Sequence, residues 1–328
     1  MLDKLLQAAF KITHEMASGH IRNPNCAPEV VERLERILGC FIQGYNLALA
    51  SKSNVTLMGQ LDAAFDAHHV GFAYEGAGMG LTVLDLLTPG RVSRLQAFVS
   101  RDAPGHDYIA MIGAGLAMAR MSWASPMFRR YLDGFDPLVR WCVPDGYGFH
   151  EGYFAPARYV DDREGAPTKF TCDEKQLFDS GIGRSLWWTC GASASLIAQS
   201  IDRFPLPRRA EMWCGIGVAC AYAGGDNGES LGALLEFAGD YRGDFLSGFP
   251  FAARMRQRAA NPSPTTSNAC KQLLGRTVDE TADMASHLLE RAVEDLGARA
   301  GREGYAFVRR GLTDIFAQEI ARYEALTQ

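Results

Sequence analysis

The chain has 328 residues, of which 47% are hydrophobic and 22% are charged, a composition that excludes a largely disordered protein. Its 33 basic and 38 acidic residues give a formal net charge of −5, which argues against a general nucleic-acid-binding protein because such proteins carry a concentrated basic face. The eight cysteines lack CxxC spacing, so neither a zinc ribbon nor a thioredoxin-like site is expected.

The predicted elements are almost all helices. Apolar residues recur at three- and four-residue spacing over residues 2–17 and again over 28–50, as in amphipathic helices. Near the other end, Thr277 and Glu280 form a capping-box pattern that predicts a helix start. A last apolar stripe covers 307–323. Because alternating strand patterns are sparse, the sequence predicts a mainly α-helical fold.

Two segments interrupt the helical pattern. Residues 155–176 mix Pro, Gly and clustered charges, which predicts a surface loop. Residues 261–268 are rich in Pro, Ser and Thr, which predicts a connector. We therefore expect a helical core over residues 1–260 and a C-terminal helical pair over 269–328 that packs on this core.

The core sequence resembles itself at a distance. Glu75-Gly76 recurs as Glu151-Gly152, in each case after an aromatic and Gly-rich stretch, and a candidate third copy lies near residue 250. This pattern predicts a bundle of quasi-repeated helical hairpins around a shared centre. Chance similarity in a chain rich in Gly and Ala is the alternative.

Glycine pairs at 113–115 and 215–217 could indicate nucleotide binding or helix packing. A dinucleotide-binding fingerprint needs a preceding strand, a third glycine and a βαβ unit, and neither pair has that setting. Small residues at this spacing let two helices approach closely, which is the interpretation we favour.

The stretch 145–154 places acidic, imidazole and aromatic groups among glycines. We expect Glu151 and His150 to perform proton transfer, with Glu75 as a second carboxylate, because groups in an apolar setting acquire pKa values suited to acid–base catalysis. The alternative is a structural polar network that joins helices. Asp145 and Arg120 are the candidates for that network.

Arg184 lies in the stretch GIGRSLWW, beside two tryptophans. It could bind an anionic group of a ligand, or it could neutralise Glu75 or Glu151 inside the bundle. The aromatic residues expected to line a substrate pocket are Tyr74, Tyr147 and Trp187.

A metal site is the less favoured interpretation, because the sequence has neither the Glu-x-x-His spacing of helical dimetal sites nor HExxH. We therefore expect no cofactor. The alternative is an iron or haem site, for which the candidate protein ligands are His106, His150, Glu75 and Glu151.

Four motifs in this order resemble the UnbL-type proteins, a bacterial family of undefined function encoded beside the polyketide synthases of enediyne antibiotics. The motifs are GFAYEGAGMG (71–80), DGYGFHEGYF (145–154), GIGRSLWW (181–188) and GIGVACAYAGG (215–225). The resemblance covers roughly residues 40–260. It implies a role near long conjugated polyenes and carries over no catalytic residues.

These observations lead to an expected function. The favoured hypothesis is an accessory enzyme of polyketide (enediyne-like) biosynthesis that isomerises or cyclises a hydrophobic polyene-derived intermediate by proton transfer. The alternatives are a metal- or haem-dependent oxidase of the same pathway and a non-catalytic carrier of a lipophilic intermediate. We expect a cytoplasmic protein with no transmembrane segment and no nucleic-acid partner. Transient contact with a polyketide synthase and homo-oligomerisation are further expectations.

Overall fold

The computed structural model describes residues 9–88, 92–224 and 228–327. Within these ranges the chain is helical and has no β-strand, which confirms the mainly α-helical prediction. None of the helices in these ranges is both long enough and apolar enough to cross a bilayer. The α-helices are α1 (His14–Ala17), α2 (Pro28–Ala50), α3 (Asn54–Ala64), α4 (Val70–Leu87), α5 (Arg94–Ala97), α6 (Asp107–Arg120), α7 (Ser125–Leu132), α8 (Cys142–Phe154), α9 (Cys172–Thr189), α10 (Ala194–Asp202), α11 (Leu206–Ala223), α12 (Gly228–Ala238), α13 (Arg242–Leu246), α14 (Gly248–Arg258), α15 (Pro264–Leu274), α16 (Val278–Leu296) and α17 (Ala300–Thr327).

Seven of these helices lie side by side in chain order: α2, α4, α6, α8, α9, α11 and α14 each pack on the next. The row then turns back on itself. Arg256 of α14 donates to the main-chain oxygen of His68, just before α4, at 2.9 Å. The rings of Phe72 in α4 and Tyr222 in α11 meet edge to face at 5.3 Å. The helices therefore surround a shared interior.

Glycines allow the neighbouring helices of this row to touch backbone to backbone. A Cβ added at Gly181 in α9 would lie 2.0 Å from the main-chain oxygen of Asp145 in α8. At Gly113 in α6 it would lie 2.0 Å from that of Glu75 in α4. These contacts confirm the packing interpretation of the glycine pairs. The same close approach to a carbonyl oxygen of an adjacent helix occurs at Gly44, Gly76, Gly78, Gly115, Gly146, Gly148, Gly183, Gly215, Gly217 and Gly248.

The two Glu-Gly motifs occupy different surroundings. Gly76 approaches the backbone of α2 at Phe41, whereas Gly152 faces the side chain of Ser185. In α8 the acidic residue directly before the glycine pair is Asp145, so Asp145 rather than Glu151 has the position that Glu75 has in α4. The duplication and the division into core and C-terminal pair stay predictions.

The C-terminal helices α16 and α17 pack against each other, α16 also on α14 and α17 on α13. The predicted capping box at Thr277 and Glu280 is confirmed, with both reciprocal hydrogen bonds present. The connector prediction for 261–268 is wrong beyond residue 263, because α15 begins at Pro264. Ser263 caps this helix and Pro264 occupies its first turn, where a missing N–H costs no helical bond.

Two other boundaries differ from the predictions. Residues 2–8 of the expected first helix lie outside the described residues, and residues 11–13 are not helical. There the side chain of Asn46 hydrogen-bonds both backbone groups of Ile12, which replaces helical bonding. The predicted loop over 155–176 contains a π-helical turn, Ala157–Asp161, and it ends where Thr171 caps α9.

Candidate functional site

The interior of the helical row holds two adjoining apolar cavities, of about 70 Å³ and 90 Å³. Both contact Arg184, Val218 and Met255, so they meet at the middle of α9. The first cavity is lined largely by Ile37, Phe41, Phe72, Met79, Ile109, Leu116, Phe149, Tyr153, Trp188 and Tyr222. The second cavity is lined largely by Tyr108, Ile112, Trp141, Leu177, Phe251, Leu289, Tyr305 and Val308. Such walls suit a hydrocarbon ligand, since apolar burial supplies affinity and a few polar groups fix orientation.

A cluster of two carboxyls and one guanidinium lies where the cavities meet. Nε of Arg184 in α9 is 3.1 Å from Oδ1 of Asp145 in α8, and Nη2 of Arg184 is 3.7 Å from Oε1 of Glu75 in α4. Ser180 donates to the other oxygen of Asp145 at 3.0 Å. The guanidinium also lies 5.0 Å from the ring centre of Phe149. Arg184 thus pairs with Glu75, one of the two expected partners, but its nearer partner is Asp145, and Glu151 is not among its ion pairs in the described ranges.

The guanidinium of Arg184 is therefore the ion-pair partner of two buried carboxyl groups. Glu75, Asp145 and Arg184 are each less than one-tenth exposed. Burial raises the pKa of Glu75 to about 7, an effect that Arg184 opposes. Burial also raises the pKa of Asp145, which Arg184 and the hydrogen bond from Ser180 oppose. Because Arg184 lies closer to Asp145, we assign the retained proton near neutral pH to Glu75.

This proton predicts a pH-dependent stability. The pKa of Glu75 is about 7 when folded and 4.5 when exposed, so the folded state binds the extra proton between these values. The contribution of this proton to the free energy of unfolding is present in full below pH 4.5 and is lost as the pH rises to about 7. The loss amounts to ~3 kcal/mol, since one pKa unit corresponds to 1.36 kcal/mol. Glu75→Gln should remove this part of the decline in denaturant unfolding followed from pH 4.5 to 8. An equally steep decline in the variant would contradict the assignment.

The two central residues of the predicted catalytic stretch face different surroundings. His150 lines the first cavity, and its Nδ1 is buried without a hydrogen bond. Glu151 is not part of that lining. It lies near Tyr147 and Tyr159, whose pKa values it helps to raise. Although Nδ1 of His150 and Oε1 of Glu151 are 3.6 Å apart, the structure does not bring Glu151 together with Glu75 at the cavity.

The predicted pocket aromatics also lie elsewhere. Tyr74 donates to Asp62 at 3.0 Å and stacks on His106, with ring centres 3.6 Å apart. Tyr147 lines a separate cleft of about 610 Å³, beside Phe170. Trp187 is fully buried and lines neither interior cavity.

Helical spacing identifies the aromatics and aliphatics that do line the first cavity. Four residues after each charged member of the cluster comes a lining residue on the same helix face: Met79 after Glu75, Phe149 after Asp145 and Trp188 after Arg184. Residues i and i+4 share a face, so this periodicity is a signal that the sequence interpretation missed.

The alternative metal-ligand set is not assembled. In the described ranges, no three His, Cys, Asp or Glu side chains lie close enough together to hold a metal ion. His106 is half-buried against Tyr74, and desolvation together with the charge of Arg256 lowers its pKa to about 4.

The N-terminal segment, residues 10–17, covers the first cavity. Ile12, Met16 and Ala17 contribute to its lining. Side chains from the core hold this segment through its main chain: Tyr45 donates to the oxygen of Phe10 at 2.8 Å, and Tyr153 to that of Ala17 at 3.0 Å.

No curated protein and no solved structure matches the chain. A match over residues 2–316, nearly the whole chain, was found to the family described as "Protein of unknown function (DUF1702)". The interior site thus lies within the region that defines this family. The chain belongs to the DUF1702 family of proteins of unknown function.

Proposed function

We propose that this protein is an accessory enzyme of polyketide (enediyne-like) biosynthesis that isomerises or cyclises a hydrophobic polyene-derived intermediate by proton transfer. The observation that carries the proposal is the buried Glu75 carboxyl on the wall of an apolar cavity, with a pKa of about 7. A carboxyl with this pKa can donate and accept a proton near neutral pH. The four motifs that resemble UnbL-type proteins support the polyene context.

The chemistry requires no oxidant or reductant. The Glu75 carboxyl gives its proton to one carbon of a conjugated chain, and the π electrons of that double bond form the new C–H bond. The resulting positive charge is delocalised along the chain. The Glu75 carboxylate then removes a proton from another carbon, which gives an isomer. If a distant double bond first attacks the cationic carbon, the product is a ring.

The surrounding residues have separate parts in this proposal. Arg184 is a positioning residue that lies 3.7 Å from Glu75 and supplies the compensating positive charge, and Asp145 is a positioning residue that holds Arg184. The aromatic rings of Phe149, Tyr153 and Trp188 line the cavity, and aromatic faces stabilise a cation in a water-poor site. His150 lies in the same lining.

Deuterium transfer from D₂O tests this function. The wild-type protein, given a linear conjugated polyene hydrocarbon, should introduce deuterium at carbon, as measured by mass spectrometry. Glu75→Gln should lower the rate at least ~100-fold, in the range of general acid–base catalysis. Glu151→Gln is the matched control and should retain the wild-type rate, because Glu151 does not line the cavity.

The outcomes are distinct. Equal rates in wild type and Glu75→Gln, with unchanged helical circular dichroism, would refute the role of Glu75. Loss of activity in Glu151→Gln alone would transfer the role to that residue. A wild-type protein that binds the polyene without exchange would instead be a carrier. The apolar lining of both cavities favours this second candidate.

A further inference from the structure

Arg120 is a cavity-lining cation that the proposed proton transfer does not use. It is the last residue of α6 and contributes to the wall of the first cavity. It forms neither an ion pair nor a hydrogen bond with any residue in the described ranges, and in this it departs from the predicted polar network. Arg184 and Arg309, by contrast, are each paired with two carboxylates.

The two guanidinium groups on the wall of the first cavity differ in their partners. Arg120 and Arg184 each carry a positive charge, and Asp145 offsets one of them. Glu75 adds no negative charge while it keeps its proton. Arg120, unlike Arg184, is thus left without a paired carboxylate in the described ranges, on a largely apolar wall where an anionic group of a ligand would be favoured.

Arg120 also lies at the covered side of the cavity. Its charge acts on the hydroxyl group of Tyr45, which itself holds the N-terminal segment at Phe10. Glu75 and Arg184, on the same cavity, lie where it joins the second cavity. A chain held at Arg120 could thus extend past Glu75 toward the second cavity.

We propose that Arg120 binds the carboxylate of a linear hydrocarbon-chain ligand whose apolar part occupies the two cavities. A guanidinium presents paired N–H donors that match the two oxygens of a carboxylate. This inference rests on the proposed function, since it names the substrate class of the same site. A conjugated polyene acid is therefore a better ligand than the corresponding neutral hydrocarbon or ester.

The test uses sorbic acid, a six-carbon conjugated diene acid small enough for the two adjoining cavities, and its methyl ester as probes at pH 6.5, with the affinities measured by titration calorimetry. The wild-type protein should bind the acid at least ~10-fold more tightly than the ester, as expected for hydrogen bonds to a charged group. Arg120→Met should remove this preference and leave the affinity for the ester unchanged. Arg130→Met, on the exposed side of α7, is the matched control and should behave as wild type.

Each result decides a separate point. Equal wild-type affinities for acid and ester, or an equal loss of both in Arg120→Met, would overturn the carboxylate site. A wild-type protein that binds neither probe would overturn both the site and the proposed function. If Arg120→Met loses only its acid preference while Glu75→Gln keeps full deuterium transfer, the carboxylate site stands and the proton-transfer function falls.

Discussion

Gly181→Ala is expected to destabilise the fold by ~4 kcal/mol or to prevent folding, because the added methyl group overpacks two helices that touch backbone to backbone. The new Cβ would lie 2.0 Å from the main-chain oxygen of Asp145 and 2.7 Å from the main-chain nitrogen of Phe149. Both atoms belong to the backbone of α8, so no side-chain rotation relieves the clash. Helices α8 and α9 would have to separate, and the cluster around Arg184 would separate with them.

The control for this prediction is Gly59→Ala. Gly59 is also inside a helix, α3, but an added Cβ there meets nothing within 4 Å. Alanine should therefore stabilise the protein, by ~0.5–1 kcal/mol, because glycine loses more backbone freedom on folding. Chemical denaturation of both variants measures the two effects. Similar changes of the same sign would show that the close approach at Gly181 does not govern packing.

Arg184→Met is expected to cost ~3–5 kcal/mol of stability at pH 8, because it leaves two buried carboxyls without their cation. Methionine retains much of the side-chain volume of arginine, so the loss of stability measures the missing charge rather than a new cavity. The penalty should shrink on acidification. Burial raises the pKa values of both Glu75 and Asp145, so each contributes more stability when protonated and loses it as pH rises.

The same substitution in a variant without the two carboxylates separates the electrostatic cost of Arg184→Met from its packing cost. In Glu75→Gln/Asp145→Asn the carboxylates are absent, and Arg184→Met should then cost far less than it does in the wild type. Thermodynamic cycles from denaturation at pH 8 give the coupling. An unchanged cost in this background would show that Arg184 acts through packing with Phe149 rather than through its charge.

Local chemistry explains which predictions the structure confirms. The capping box at Thr277 and the apolar periodicity of α2 are properties of adjacent residues, so they can be read without knowledge of the fold. The glycine pairs likewise imply close helix contacts because only a missing Cβ permits backbone contact. The connector prediction over 261–268 is wrong from Pro264 onward because proline and serine favour both turns and first helical turns.

The site residues are harder to predict because the type of a side chain does not show which face of its helix points to the interior. Glu151 and Asp145 are both acidic residues of α8, yet only Asp145 joins Arg184 at the centre. Six residues along a helix turn a side chain by about 600°, which places the two carboxyls on different faces. Only the packing of α6 and α9 against α8 determines which face is interior.

The amino-acid sequence alone was sufficient to establish the helical class of this protein, its capped C-terminal helix and the close packing at its glycines. These features depend on local propensity, periodicity and side-chain size. The tertiary structure alone decided that Glu75, Asp145 and Arg184, from three different helices, form one cluster between two apolar cavities. The proton that Glu75 retains arises from burial and from distances across helices, and neither quantity exists until the helices pack together.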